Sequence, residues 1–176
     1  NVTLNITDNL NKYKNLGGVA GENAGGGTLL KCTYEGALGK ADTAANDNIT
    51  TGAANVLDTV GGIVGLNDGK VEECSVPKIT LQVMGASGLS DSQTYAEKLK
   101  SASSVGGIAG SNAGTIENCA FDGVVSGTSQ IGGIAGVNTV RGSINGCTVS
   151  GTVYGSHFVG GVVGQNDGVA ANLSLI

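Results

Sequence analysis

The chain has 176 residues, 32 of them glycine and one proline, with 40% hydrophobic and only 3% aromatic side chains and no tryptophan. Its net charge of −5, from 9 basic and 14 acidic residues without a basic stripe, excludes a nucleic-acid footprint, and so few aromatics leave no stacking platform for bases or sugars. Glycine without a strict triplet excludes collagen, no apolar run reaches the ~18 residues of a membrane-crossing helix, and the length suits one domain, 1–176.

In chain order, Val2, Leu4 and Ile6 alternate as a short strand, read as the closing strand of a preceding rung. Since no leader opens the chain, a fragment of a larger protein is expected. Then one phrase recurs five times. It reads Leu16-Gly-Gly-Val-Ala-Gly-Glu-Asn23, Val60-Gly-Gly-Ile-Val-Gly-Leu-Asn67, Val105-Gly-Gly-Ile-Ala-Gly-Ser-Asn112, Ile131-Gly-Gly-Ile-Ala-Gly-Val-Asn138 and Val159-Gly-Gly-Val-Val-Gly-Gln-Asn166. A second half-unit follows the first four copies, ending in Cys32, Cys74, Cys119 and Cys147. Residues 169–176 read as the start of an unfinished next unit.

Both halves read as short strands. The place of Ile108 is always Val or Ile and faces inward; the place of Ser111 varies freely and faces solvent, with Ala109 on its parity. Two such strands cannot close a core alone, but stacking successive units at the ~4.8 Å strand spacing buries a continuous one. The expected fold is all-β: a right-handed parallel β-solenoid of about five rungs, the hand following from the usual crossover rule. A propeller would need blades of ~40 residues, longer than the last units. The Gly-Gly pairs suit sharp corners, where glycine accepts positive φ.

Asn23, Asn67, Asn112, Asn138 and Asn166 occupy one place per unit, as do the four cysteines. Stacked in register, the amides form a hydrogen-bonded ladder, and the cysteines an inward, reduced row. Zinc needs closely spaced pairs, which are absent, and a catalytic thiol needs a base, whereas the single histidine, His157, has no counterpart in other units. In-register neighbours also point their Cβ atoms the same way, which suits a disulfide poorly. A dinucleotide fingerprint should occur once, before a helix, so five Gly-Gly copies argue against one. Asn67-Asp68-Gly69 and Asn166-Asp167-Gly168 resemble calcium-binding turns, but the other units lack the carboxylate. No metal and no cofactor are expected. Glu72-Glu73, with Glu117 one unit later, shows nothing that separates an acid from a base. Asn1, Asn5, Asn48 and Asn172 open glycosylation sequons, relevant only to a eukaryotic secreted protein.

Two units carry insertions at the same corner, about 40–58 and 86–104. In the second, Ser90-Asp-Ser-Gln93 reads as a capping box, so a short helix is expected over 91–100 with Tyr95 and Leu99 against the solenoid. Insertions on one face of a solenoid often bind; the candidate binding face is Asp47, Asn48, Tyr95 and Lys98.

Residues 106–123 resemble the GLUG motif of bacterial surface proteins, which runs Gly-Leu-hydrophobic-Gly, an Asn-x-Gly turn, and an apolar–x–Asn stretch ending at Gly. Gly18-Val-Ala-Gly21, Gly62-Ile-Val-Gly65, Gly107-Ile-Ala-Gly110, Gly133-Ile-Ala-Gly136 and Gly161-Val-Val-Gly164 match its core, with Ile or Val in place of Leu. Such repeats occur in adhesin-like proteins and in the non-catalytic parts of immunoglobulin A-specific metallopeptidases. No His-Glu-x-x-His stands here. The resemblance implies a non-enzymatic repeat segment of a bacterial cell-surface or secreted protein, a stalk or spacer or an adhesive module. It implies flanking domains of the same longer chain and, as partner, a host or matrix protein or glycan. The alternative is a polysaccharide-active β-solenoid, lyase or hydrolase.

Overall fold

Each repeat folds into four short strands, one for each side of a coil. The structure, a computed structural model, describes residues 4–5, 15–35, 38–39, 48–50, 59–84, 104–127 and 129–176. The first sheet stacks Asn15–Gly17, Thr59–Gly61, Ser104–Gly106, Ser129–Gly132 and His157–Gly160. The second stacks Ala20–Asn23, Val64–Asn67, Ala109–Asn112, Ala135–Asn138 and Val163–Asn166. The third stacks Thr28–Leu30, Lys70–Glu72, Thr115–Glu117, Ser143–Asn145 and Val169–Ala171. The fourth, with the longest strands, stacks Asn48–Thr50, Ser75–Met84, Ala120–Ser126, Thr148–Tyr154 and Ser174–Leu175.

Every sheet runs in chain order of its rungs, and every pairing is parallel. The chain is therefore a parallel β-solenoid of five rungs. In the first sheet Val60 pairs with Val105, Val105 with Ile131 and Ile131 with Val159, so like residues stack on like; in the fourth, a bulge at Lys78 shifts the register between Pro77 and Ile79. Inward columns are fully buried, among them Ile63, Ile108 and Ile134 at one corner and Val71, Ile116 and Ile144 in the third sheet. Each such side chain stabilises the fold by roughly 1.5–3 kcal/mol relative to exposure. Asn48–Thr50 pairs with the end of Ser75–Met84, so residues 48–50, inside the span read as an insertion, lie in the fourth sheet. Leu4–Asn5 and Leu38–Gly39 form a separate parallel pair. No helix occurs among the described residues; the helix expected over 91–100 lies outside them.

Three expectations change. The Gly-Gly pairs do not use positive φ, which among described glycines is confined to Gly26, Gly123, Gly146 and Gly151. Their reason is space. A Cβ on Gly62 would overlap the Gly107 carbonyl of the next rung, and one on Gly61 the Val64 carbonyl of its own turn. The last glycine of each phrase serves likewise: a Cβ on Gly65 would stand 2.6 Å from the Leu16 nitrogen, because the first and second sheets meet backbone to backbone there. Second, Ala109 is buried rather than outward, because Ile108 sits in the corner and the strand starts after it. Third, residues 169–176 do not begin a new unit. They pair with Ser143–Asn145 and Thr148–Tyr154 and so supply the third and fourth strands of rung five.

The corner between the third and fourth sheets uses left-handed backbone in every rung. Lys31, Glu73, Asn118, Gly146 and Asn172 each precede the inward Cys or Leu of their rung, with φ of 54°, 51°, 53°, 65° and 53°. Gly and Asn accept this cheaply, Lys and Glu do not. The exposed Lys31–Glu73 ion pair at 3.5 Å contributes little in return. Glu73→Asn should therefore raise stability by roughly 0.5–1 kcal/mol, read as a higher urea midpoint with unchanged m. Gly110→Ala should do the opposite, since its methyl would lie 2.7 Å from the Thr59 Cβ. A loss of about 3 kcal/mol or more is expected in the same titration.

Candidate functional site

The buried polar chemistry lies at the corner after the second sheet. There the amide of Asn23 donates to Asn67 Oδ1 at 2.8 Å, Asn67 to Asn112 at 2.8 Å, Asn112 to Asn138 at 2.9 Å and Asn138 to Asn166 at 2.8 Å. The second amide hydrogen goes to backbone carbonyls that close the turn, such as Gly69 O and Thr115 O for Asn67. Asn67, Asn112 and Asn138 are wholly buried. Their hydrogen-bonding capacity is absorbed by the coil, so this row is a structural ladder with no amide turned to a ligand.

The cysteines form the expected inward column. Cys74, Cys119 and Cys147 are buried, Cys32 is half-buried, and all four are free thiols. Each buried sulfur lies near the carbonyl two residues back, 3.2 Å from Glu117 O for Cys119, and the Cys32 amide donates to Cys74 Sγ at 3.3 Å. Hydrogen bonding with Cys147, then burial, pushes the Cys119 thiol far above its ordinary range; burial is the main cause that raises Cys74. The same hydrogen bond with Cys119 lowers the Cys147 thiol, so the pair shares one proton between two buried sulfurs, with no base or cation beside either.

On the outside of the third sheet, Lys70 reaches Glu72 at 2.9 Å and Glu117 at 3.0 Å, and those hydrogen bonds raise its pKa. The two stacked carboxylates share one ammonium, and Glu73 faces Lys31. Arg141 spans two rungs to Asp68 at 3.3 Å. Among the described residues no three His, Cys, Asp or Glu side chains gather around a metal position. His157 is half-buried beside Ser129 in the first sheet. Of the candidate binding face, Asn48 lies in Asn48–Thr50, while Asp47, Tyr95 and Lys98 lie outside the described residues.

Sequence reasoning missed the uncovered apolar group of the last rung. Phe158, Val159, Val169, Leu175 and Ile176 are all exposed, and Phe158 has φ of 47°. Val159 and Leu175 stand where earlier rungs bury Ile131 and Val149, whereas Phe158 and Val169 stand opposite Gln130 and Ser143, at places that earlier rungs leave partly exposed. Among the described residues there is no helix long and apolar enough to cross a membrane.

The family model of the GLUG motif matches residues 101–126, which include all four strands of rung three. This stretch is a GLUG motif, and its register with rungs one, two, four and five supports a GLUG-repeat region. No curated protein and no solved structure matches the chain.

Asn112→Ala would strand the Asn67 amide and the Asn138 carbonyl together, and a loss of roughly 2–5 kcal/mol is expected in denaturant unfolding. Asn166→Ala, at the exposed end, should cost under about 1 kcal/mol. For the thiols, iodoacetamide on the native protein should label Cys32 first, and denaturant without reductant should reveal all four. Burial raises Cys74 and hydrogen bonding raises Cys119, while Cys147 is lowered; for the two raised thiols stability holds below the unfolded value of ~8.5 and declines as pH rises through it toward their folded values. A thermal midpoint unchanged from neutral to strongly alkaline pH in the wild type would contradict this.

Proposed function

We propose that this chain is a non-catalytic module of a larger bacterial cell-surface or secreted protein, acting as a stiff spacer that carries an adhesive face. The observation that carries the reading is the unbroken amide ladder through all five rungs. It ties each rung to the next in one register and spends the buried polar groups on rigidity rather than chemistry. Unpaired thiols are compatible with an oxidising surroundings because three of the four are buried in the column. The GLUG match supports a repeat module, and the resemblance of the other four phrases extends that support along the coil.

A polysaccharide-active enzyme on the same coil would require a one-off group of acids and bases. The carboxylates on the third sheet are instead shared by Lys70, which favours the spacer. Incubation with a panel of acidic and neutral glycans, with and without Ca²⁺, should leave every chain length unchanged; measurable cleavage would overturn the proposal. Binding should be found on immobilised matrix proteins or a glycan array. Tyr95→Ala together with Lys98→Ala should weaken it at least tenfold, about 1.4 kcal/mol. Full retention of binding by that folded double variant would remove the insertions as the adhesive face.

A further inference from the structure

The cysteine column in the middle of the coil has a regularity that apolar packing alone does not require. Two residues before the cysteines Glu72 pairs with Glu117 and Glu117 with Asn145; one residue after them Ser75 pairs with Ala120 and Ala120 with Thr148. Cys74, Cys119 and Cys147 therefore stand directly over one another. Their sulfurs also share one orientation. Each lies close to the carbonyl two residues back, at 3.3 Å for Glu72, 3.2 Å for Glu117 and 3.4 Å for Asn145. Each also lies near a carbonyl of the preceding rung, at 3.5 Å for Leu29, 3.8 Å for Val71 and 3.9 Å for Ile116. Side chains alike in rotamer and register place their sulfurs one strand spacing apart, ~4.8 Å.

That spacing selects a ligand. A disulfide needs Cβ atoms about 3.8 Å apart, closer than stacked rungs stand. Zinc needs four donors, and among the described residues no three His, Cys, Asp or Glu side chains gather around one point. Two metal–thiolate bonds of about 2.3 Å placed in line span about 4.6 Å, close to the rung spacing. The ion that accepts two thiolates in line is a soft monovalent one, and Cu(I) prefers sulfur of this kind. Backbone donors also favour the thiolate. The Cys32 amide donates to Cys74 Sγ at 3.3 Å, and the backbone of Cys74 and of Cys119 hydrogen-bonds the sulfur of the following rung in the same sense.

We propose that Cys119 and Cys147, 1% and 0% exposed and hydrogen-bonded to each other, form a two-coordinate site for Cu(I) inside the coil. Binding turns two thiols and one Cu(I) into one S–Cu–S unit, releases two protons to solvent and changes no oxidation state. The unit carries one negative charge, which the backbone donor from Cys119 to Cys147 faces. Closely spaced cysteines in sequence are not needed, because stacking brings thiols together from successive repeats.

The test uses the full chain carrying Cys32→Ala, which removes the half-buried thiol, titrated with Cu(I) without oxygen against a Cu(I)-chelating dye. Native mass spectrometry should show a gain of one copper less two protons. X-ray absorption should show two sulfur neighbours, and the thermal midpoint should rise with copper but not with Zn(II). Adding Cys119→Ala leaves Cys74 and Cys147 two rungs, about 9.6 Å, apart. Copper should then bind at least a hundredfold more weakly. Absence of binding by the Cys32→Ala chain, nitrogen or oxygen neighbours on the copper, an equal rise with Zn(II), or full affinity after Cys119→Ala would each overturn the proposal. The absorption spectrum of the Cys32→Ala chain decides the matter even where the double variant does not fold.

Discussion

The in-register stacking of identical side chains is the constraint on which the rest of this molecule depends. A buried primary amide has two donors and a carbonyl acceptor, and leaving any of them unpaired in the core is costly. Asn67, Asn112 and Asn138 meet that demand only when each rung stands directly over the last, because each donates to the Asn of the next rung and to a backbone carbonyl beside it. A slip of one residue would break all the links together and turn the apolar columns outward. The ladder thus fixes register, and register in turn fixes which side chains are core.

Close approach follows from that register. The first and second sheets meet with no side chain between them at Gly21, Gly65, Gly110, Gly136 and Gly164, so the coil is thin at this corner. The wide part of the core lies toward the fourth sheet, where Phe121 and Leu81 are fully buried. The glycine content that looks unusual in the composition is therefore spent mostly on backbone contacts between rungs. Positive φ accounts for a minority of it, among the described residues at Gly26, Gly123, Gly146 and Gly151, of which Gly146 shares its corner with Lys31, Glu73, Asn118 and Asn172.

These constraints shape what the module can do. Its buried amides are engaged in holding rungs together, three of its four thiols are buried in the column, and the third-sheet carboxylates share a lysine. Such an interior suits a rod whose function lies on its outside or at its ends.

The sequence alone determined the repeat, the parallel coil, the number of rungs and the two ladders, since identical residues at a fixed place must stack when each unit is too small to close its own core. Asn112 and Cys119 could be placed from spacing because the columns that contain them repeat one residue per unit. The purpose of the glycines was not legible. Whether Gly62 serves a positive φ or a close approach depends on how near the Gly107 carbonyl stands, and that distance arises only when two rungs meet. Ala109 was misplaced for a related reason: strict alternation starts with the strand, and the structure starts the strand one residue after the corner Ile108. Residues 169–176 carry strand-like apolar residues either way; pairing with Ser143–Asn145 and Thr148–Tyr154 assigned them to rung five. Local pattern names the partners of a stack, but contacts between its turns, which have no representation in any one unit, decide where each element begins and which backbone needs room.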